Sequence, residues 1–263
     1  MHADLFDRYR EIDSPLHRLD PRVKVLALAA FIASNALLPD GAWIAFAAAW
    51  AVVLAGCWAG GLGVFFTTKR SLVALPFALA ALSAIFLPSG QALAHWRILG
   101  LELVPTDLGL LRFGSIMARS WISVQMGILV VSVTPFPDLI HALEHLRFPK
   151  TLSTIIAFLY RYLFVLADET FRLLRARESR SAGVGNKAGG GLLWRMRVAG
   201  NMAGQLFIRS YDRSDRIYNA MLSRGYTGTL RTMHAHAMKN SDWLAMAAFS
   251  LVLLFIQLIP WTY

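Results

Sequence analysis

Residues 41–68 read GAWIAFAAAWAVVLAGCWAGGLGVFFTT, a run without a single Asp, Glu, Lys or Arg. A helix needs about 20 mostly apolar residues to cross the ~30 Å hydrocarbon core of a bilayer. This run is therefore long enough to cross a membrane, and the glycines at 60, 61 and 63 indicate a turn after the crossing. The stretch predicts a membrane-spanning helix near 42–60.

The composition of the whole chain agrees with a membrane protein. It is 56% apolar and 16% charged, with a mean hydropathy of +0.50, whereas soluble domains are about 45–50% apolar and about 25% charged. The net charge is +10, but the charged residues stand between long uncharged runs, which excludes a simple basic nucleic-acid-binding domain. The single cysteine, Cys57, lies in an apolar run and is interpreted as a packing residue, so an intrachain disulfide or a multi-cysteine metal cluster is excluded.

Further charge-free runs predict an all-α membrane protein with about five spans. These spans lie near 23–39, 42–60, 71–88, 114–134 and 242–260. We expect three regions: an N-terminal segment with four spans (1–134), a cytoplasmic or interfacial coupling domain (135–240) and a C-terminal span (241–263). The first 24 residues carry five acidic groups, unlike the short basic start of a signal peptide, so we expect this segment to be retained.

The placement of Lys and Arg predicts the orientation. Residues 1–24 hold five of them and residues 135–240 hold sixteen, whereas only Arg97, Arg112 and Arg119 fall in the segments expected outside. Because cytoplasmic loops are enriched in these residues, the N-terminus and the insert 135–240 are predicted to be cytoplasmic. Arg119 is interpreted either as an arginine reaching the outer interface or as a partner contact inside the membrane.

The insert predicts two long helical arms. Thr134-Pro135-Phe136-Pro137 ends the fourth span, and a short helix near 138–147 ends before Pro149. Apolar positions then recur at helical spacing over 152–180 and again from Leu192 to Leu222. Glycines between 183 and 191 separate the two arms, and Gly225 and Gly228 end the second.

The two arms end in a repeated motif, Ala-x-x-Ser-Arg followed by Ser or Gly. Its members are Ala176, Ser179, Arg180 and Ser181 on the first arm, and Ala220, Ser223, Arg224 and Gly225 on the second. A cation in the last turn of a helix is commonly no more than a complement to the helix dipole. Its repetition in one basic insert favours a second interpretation, in which two equivalent cationic tips enter two equivalent sockets of a dimeric partner. The planar guanidinium fork suits carboxylates or backbone carbonyls there.

A family resemblance rests on these motifs and on the N-terminal stretch SPLHRLDPRVK at residues 14–24. The quoted segments fall in one order along the chain: 14–24, Thr134-Pro135, Phe148-Pro149, Tyr160-Arg161-Tyr162, 176–181 and 220–226. In that order they resemble the transmembrane coupling protein of energy-coupling factor (ECF) transporters, and residues 6–22 are most similar to its cobalt-type branch, CbiQ. The resemblance covers essentially the whole chain. One departure is Ser181, where the family pattern usually has Gly.

The resemblance implies a non-catalytic subunit of an ATP-driven uptake transporter in the inner membrane of a prokaryotic cell. It would join two cytoplasmic ATPase subunits to a substrate-binding membrane subunit, with Arg180 and Arg224 as ATPase contacts. It would hold no cofactor of its own, because ATP and Mg²⁺ are bound by the ATPases. Cobalt is the expected substrate, and nickel or a vitamin are the alternatives.

A different class of function is suggested by His141-Ala142-Leu143-Glu144-His145, which spells H-x-x-E-H. This is the motif of inverted zinc peptidases. If this chain were one, His141 and His145 would bind Zn²⁺ and Glu144 would act as base. The helix is short, lies between prolines and has no evident third ligand, so an amphipathic interfacial helix is the favoured interpretation. Gly183 to Lys187 lacks the Gly-Lys-Ser/Thr core of a phosphate loop.

The charge pattern predicts the side of the membrane on which each segment lies. We introduce single cysteines at positions 187 and 263 in a Cys57→Ala chain and label intact cells with an impermeant maleimide. Position 263 should react from outside, whereas position 187 should react only after permeabilisation. External labelling at 187 would contradict the five-span architecture.

Overall fold

The structure is a computed structural model. It describes residues 9–10, 12–74, 76, 81–86, 96–98, 101–103, 106–146, 148–180, 191–228 and 238–261.

The described residues are mainly helical. The α-helices are α1 (Pro21–Leu37), α2 (Trp43–Ala59), α3 (Val64–Arg70), α4 (Asp107–Val133), α5 (Phe136–His145), α6 (Lys150–Arg180), α7 (Leu192–Ser223) and α8 (Asn240–Leu258). Short 3₁₀ turns cover Ser71–Ala74, Leu82–Phe86 and Ile259–Trp261. Two strands, β1 (Trp96–Ile98) and β2 (Leu101–Leu103), pair antiparallel with Arg97 opposite Glu102.

The chain divides into two compact units. The described part of the first, here called the arm unit, is 148–180 and 191–228 and contains α6 and α7. The second, here called the bundle, contains the remaining helices, with α5 packed on α1. The predicted division at 134/135 and 240/241 was drawn at membrane faces, which compactness does not test, so it stays a prediction.

Helix α4 forms the centre of the bundle. Its residues at 122, 126, 129, 130 and 133 recur at helical spacing and are buried in one cluster with side chains of α1, α2 and α8. Gly56 permits a close approach of α2, because a Cβ there would lie 2.6 Å from Leu129 Cδ2. Cys57 is fully buried beside Thr67, with the Sγ and Oγ1 atoms 3.4 Å apart, which confirms its interpretation as a packing residue.

The start of α1 is tied to the start of α8. Asp20 accepts a hydrogen bond from the Arg22 backbone N–H at 2.8 Å, and Pro21 occupies the first helical turn, where its missing N–H costs nothing. The Asp20 backbone N–H donates to Asp242 Oδ1 at 3.4 Å. The other oxygen of Asp242 accepts the Lys239 N–H at 2.9 Å. The first and last helices therefore begin at one hydrogen-bonded junction.

Buried polar side chains join the helices of the bundle. Asn35 donates to the Arg119 carbonyl oxygen at 3.0 Å and to Ser123 Oγ at 2.8 Å. Trp50 Nε1 donates to the buried Gln125 side chain at 3.1 Å. Polar groups are satisfied in this way between membrane helices because lipid offers them no partner.

By length and composition alone, three helices of the described chain are long and apolar enough to cross a membrane: Asp107–Val133, Lys150–Arg180 and Asn240–Trp261. Trp43–Ala59 is a shorter apolar helix. The first and third correspond to predicted spans four and five. Lys150–Arg180 also qualifies, although the charge pattern predicts a cytoplasmic arm there, so the number of spans stays a prediction.

The helix bounds agree with the predicted ones except at two places. Helix α4 begins at Asp107 rather than near 114, because Thr106 Oγ1 accepts the Gly109 N–H at 3.1 Å and caps an earlier start. The short β1–β2 pair was not predicted. Only parts of the third predicted span, 71–88, lie among the described residues, and these are largely 3₁₀ turns.

Arg119 neither extends freely to an interface nor lacks a partner within the chain. Its Nη2 donates to the Leu38 carbonyl oxygen and to Asp40 Oδ1, the latter at 2.8 Å. Leu38 and Asp40 form the turn between α1 and α2, so this arginine of α4 fixes that turn. Arg119 therefore forms an intramolecular clamp, and its position relative to the outer membrane interface stays a prediction.

The clamp predicts a measurable loss of stability. Arg119→Ala should lower the free energy of unfolding by about 1–2 kcal/mol, since one ion pair and a charged hydrogen bond are lost at a partly exposed site. Thermal unfolding in detergent measures the change. Arg112→Ala is the matched control, because Arg112 Nε lies 3.9 Å from the same carboxylate and is more exposed. Equal losses for both variants would contradict the clamp.

Candidate partner-contact site

The two arms are continuous helices that run antiparallel. Helix α6 has 31 residues and α7 has 32, so each is about 46–48 Å long at ~1.5 Å per residue. Both helix predictions, including the ends at Arg180 and near Leu222, are confirmed. Helix α7 ends at glycine, because Gly225 (φ +80°) and Gly228 (φ +90°) adopt the left-handed conformation.

An ion-pair cluster marks the place where the arms cross. Glu169 of α6 accepts a hydrogen bond from Arg209 Nη1 of α7 at 2.7 Å, and Arg172 Nη2 lies 3.3 Å from its other oxygen. The Glu169 side chain is only 14% exposed, so the pair is better shielded from water than a typical surface salt bridge. This contact was missed in the sequence, where Glu169 is one of many charged residues on a long helix.

An apolar groove of about 430 Å³ lies between the first half of α6 and the last half of α7. Its walls include Ile155, Phe158 and Leu166 from α6, and Ile217 and Met221 from α7. Since the start of one arm faces the end of the other, the two helices are antiparallel. The groove was not predicted, although its α6 positions follow helical spacing.

The antiparallel arrangement places Arg180 and Arg224 at opposite ends of the arm pair. Both residues are exposed. Among residues 148–180 and 191–228, neither guanidinium forms an ion pair or a hydrogen bond with another side chain. The structure therefore separates Arg180 and Arg224 rather than bringing them together.

The other motif residues leave the guanidinium as the projecting group at each tip. Ser179 Oγ donates to the Ala176 carbonyl at 3.0 Å, and Ser223 Oγ donates to the Asn219 carbonyl at 2.9 Å. Both hydroxyl donors are therefore used within their own helices. The remaining motif positions described, which are Ala176, Ala220 and Gly225, are exposed. Ser181 lies outside the described residues.

In the N-terminal stretch 14–24, a turn with local hydrogen bonds precedes the start of α1. Ser14 Oγ lies 2.6 Å from His17 Nδ1, and Arg18 donates two hydrogen bonds to Asp13, at 2.9 and 2.8 Å. Those bonds from the guanidinium hold the pKa of the Asp13 carboxyl below its usual value. Asp20 caps α1, so these contacts fix the local fold of the stretch, which also lines a cavity of about 260 Å³ with Lys239 and Asp242.

The H-x-x-E-H segment lies on α5. The rings of His141 and His145 are 4.8 Å apart, as expected for one helix face. Within the described part of the chain, no group of three His, Cys, Asp or Glu side chains could hold a metal ion. Burial, with the charges of Arg22 and His141, lowers the pKa of His145. The geometry gives the peptidase hypothesis no third ligand.

The sequence is similar to known proteins along most of its length. Residues 13–235 match the family CbiQ, described as cobalt transport protein. The chain is 28% identical to the energy-coupling factor transporter transmembrane protein EcfT of Lacticaseibacillus paracasei, covering 92% of each chain. It is 25% identical to the EcfT of Lactococcus lactis over 100% of this chain and 99% of that one. It is also 27% identical to an uncharacterized protein of Methanocaldococcus jannaschii, covering 94% and 83%.

The matched family is a membrane component of transporters and not an enzyme, so the peptidase hypothesis is set aside. The match, which ends at residue 235, includes both arms and both arginine motifs. The protein belongs to the CbiQ family and is the transmembrane (T) component of an energy-coupling factor transporter.

Proposed function

We propose that this chain is the non-catalytic scaffold of an ATP-driven uptake transporter, joining two cytoplasmic ATPase subunits to a substrate-binding membrane subunit. The observation that carries the proposal is the presence of two exposed arginines at opposite ends of one antiparallel arm pair. Two separated, chemically equivalent tips suit two equivalent partners better than one. The names of the EcfT relatives, which are transporter transmembrane proteins, support the same role.

Each tip is proposed to enter a socket of one ATPase subunit. A guanidinium offers five donors in a planar fork, which can bond carboxylates or backbone carbonyls. The exposed Ala176 and Ala220 lie one helical turn before these arginines, and their small side chains allow a partner surface to approach closely. The proposed contacts on the two tips are Ala176, Ser179, Arg180, Ser181, Ala220, Ser223, Arg224 and Gly225.

Cobalt is the proposed substrate, with nickel and then a vitamin as the alternatives. The family description, cobalt transport protein, supports cobalt, as does the similarity of residues 6–22 to the cobalt-type branch. The scaffold itself need not touch the substrate, since a separate subunit would bind it.

We further propose that the N-terminus and residues 135–240 are cytoplasmic, supported by the concentration of Lys and Arg there.

The proposal predicts graded effects of removing the tips. Loss of one buried charged contact costs about 2–5 kcal/mol, but the surviving tip holds the second ATPase at high effective concentration and partly masks a single loss. Arg180→Ala and Arg224→Ala should each reduce ATPase copurification and uptake. Arg224→Ala should be the more severe, because the first motif departs from the family pattern at Ser181. The double variant should lose both, and Lys replacements should rescue only partly.

The measurement is ATPase pull-down in mild detergent together with cobalt uptake in cells, normalised to the amount of protein in the membrane. Arg197→Ala serves as the matched control, because this exposed arginine lies on the second arm, 27 residues before Arg224. A double Arg180→Ala, Arg224→Ala chain that retains its ATPases and transports at the wild-type rate would refute the proposal.

A further inference from the structure

The second arm ends in a cap whose last residue, Tyr226, lines the groove shared with the other arm. The Tyr226 N–H donates to the Met221 carbonyl at 3.0 Å, and the Gly225 N–H donates to the Leu222 carbonyl at 2.9 Å. With Gly225 in the left-handed conformation (φ +80°), these two bonds form a Schellman cap, which reverses the chain at the end of a helix. Arg224 is the residue enclosed by this cap.

The cap directs Tyr226 into the groove between the arms. Tyr226 is half-buried and lines the groove together with Met221, the residue whose carbonyl it bonds. Thr151 and Thr154, from the start of α6, line the same groove. In a Schellman cap, the residues at the positions of Tyr226 and Met221 commonly form an apolar contact. Here the contact lies in a groove that α6 also lines.

We propose that Tyr226 is a positioning residue that sets the direction of Arg224, and hence the affinity of the second tip for its partner. Helix ends fray unless they are held. Within the described arm unit, the Arg224 side chain forms no hydrogen bond, ion pair or ring contact, so its direction depends chiefly on its backbone. That backbone is fixed on one side by its N–H bond to the Met221 carbonyl at 3.0 Å and on the other by the cap. Anchoring Tyr226 in the groove therefore reduces the ordering cost when Arg224 binds.

This inference rests on the proposed function, because it assumes that Arg224 contacts an ATPase subunit. It adds a residue that has no exposed charge of its own and would not be expected to enter the socket. The side chain of Tyr226 acts through its ring, since no hydrogen bond of its hydroxyl is seen among the described residues. Phenylalanine should therefore replace it, whereas alanine should not.

The experiment titrates purified ATPase subunits against the full chain reconstituted in nanodiscs, with cobalt uptake measured in parallel. Tyr226→Ala should raise the apparent Kd about fivefold, which corresponds to about 1 kcal/mol, and Tyr226→Phe should restore the wild-type value. In an Arg224→Ala chain, Tyr226→Ala should cause no further change. This non-additivity is the readout that a merely structural role would not produce.

A second variant tests the cap without touching the tyrosine. Within this chain a Cβ on Gly225 would meet nothing within 4 Å, so Gly225→Ala disturbs the arm itself only by opposing the positive φ. Because Gly225 is also a proposed contact, Gly225→Ser, which adds the side chain found at the equivalent position 181 of the first motif, is measured beside it. Both variants should weaken binding about as much as Tyr226→Ala, and should likewise have no effect in the Arg224→Ala chain. Gly204→Ala is the matched control, since it also meets nothing within 4 Å but has no positive φ. Gly225→Ala decides the question if Tyr226→Ala fails to insert into the membrane.

Tyr218→Ala controls for general loss of groove packing, because Tyr218 also lines the groove on α7 but lies outside the cap. The inference is overturned if Tyr218→Ala is as damaging as Tyr226→Ala, or if Tyr226→Ala still weakens binding when Arg224 is absent. If Arg224→Ala alone has no effect, the proposed function fails at this tip. If Arg224→Ala weakens binding while Tyr226→Ala and Gly225→Ala do not, only the positioning role fails.

Discussion

The carboxylates of Asp20 and Asp242 hold the bundle together at the point where its first and last helices begin. A helix leaves its first backbone N–H groups without internal partners, and burial makes each such group costly. Asp20 caps α1 with its side chain and donates its own backbone N–H to Asp242, which in turn caps α8. Both side chains are at least nine-tenths buried. The close packing of α1 and α8 against α4 depends on this junction, because it fixes where both helices begin.

The arms meet a different requirement from that of the bundle. Their large apolar side chains are widely exposed, including Leu159 at 60% and Phe207 at 71%, and an ion-pair cluster joins them where they cross. Such a surface is incomplete without other chains or lipid. The antiparallel arrangement turns two similar helix ends into two separated contacts. A repeated sequence motif on one polypeptide can therefore address two copies of the same partner.

The helices could be predicted from the sequence, whereas the contacts between them could not. Helical periodicity predicted α6 and α7 nearly to the residue, because long amphipathic helices ended by glycine are strong local signals. The start of α4 was placed too late because charge-free runs ignore a cap such as Thr106. The Arg119–Asp40 and Glu169–Arg209 pairs could not be predicted, since each joins residues distant in sequence. The repetition of the tip motif is visible in the sequence, and its role as a partner contact stays a prediction, whereas the role proposed for Tyr226 needed the three-dimensional cap.

The separation of the two tips has a consequence for distance. The groove places the end of α7 beside the start of α6, so Arg224 lies near the first turn of α6. Arg180 is the last residue of that 31-residue helix, about 45 Å further along at ~1.5 Å per residue. A single molecule that touched both arginines would therefore have to extend over the whole length of α6.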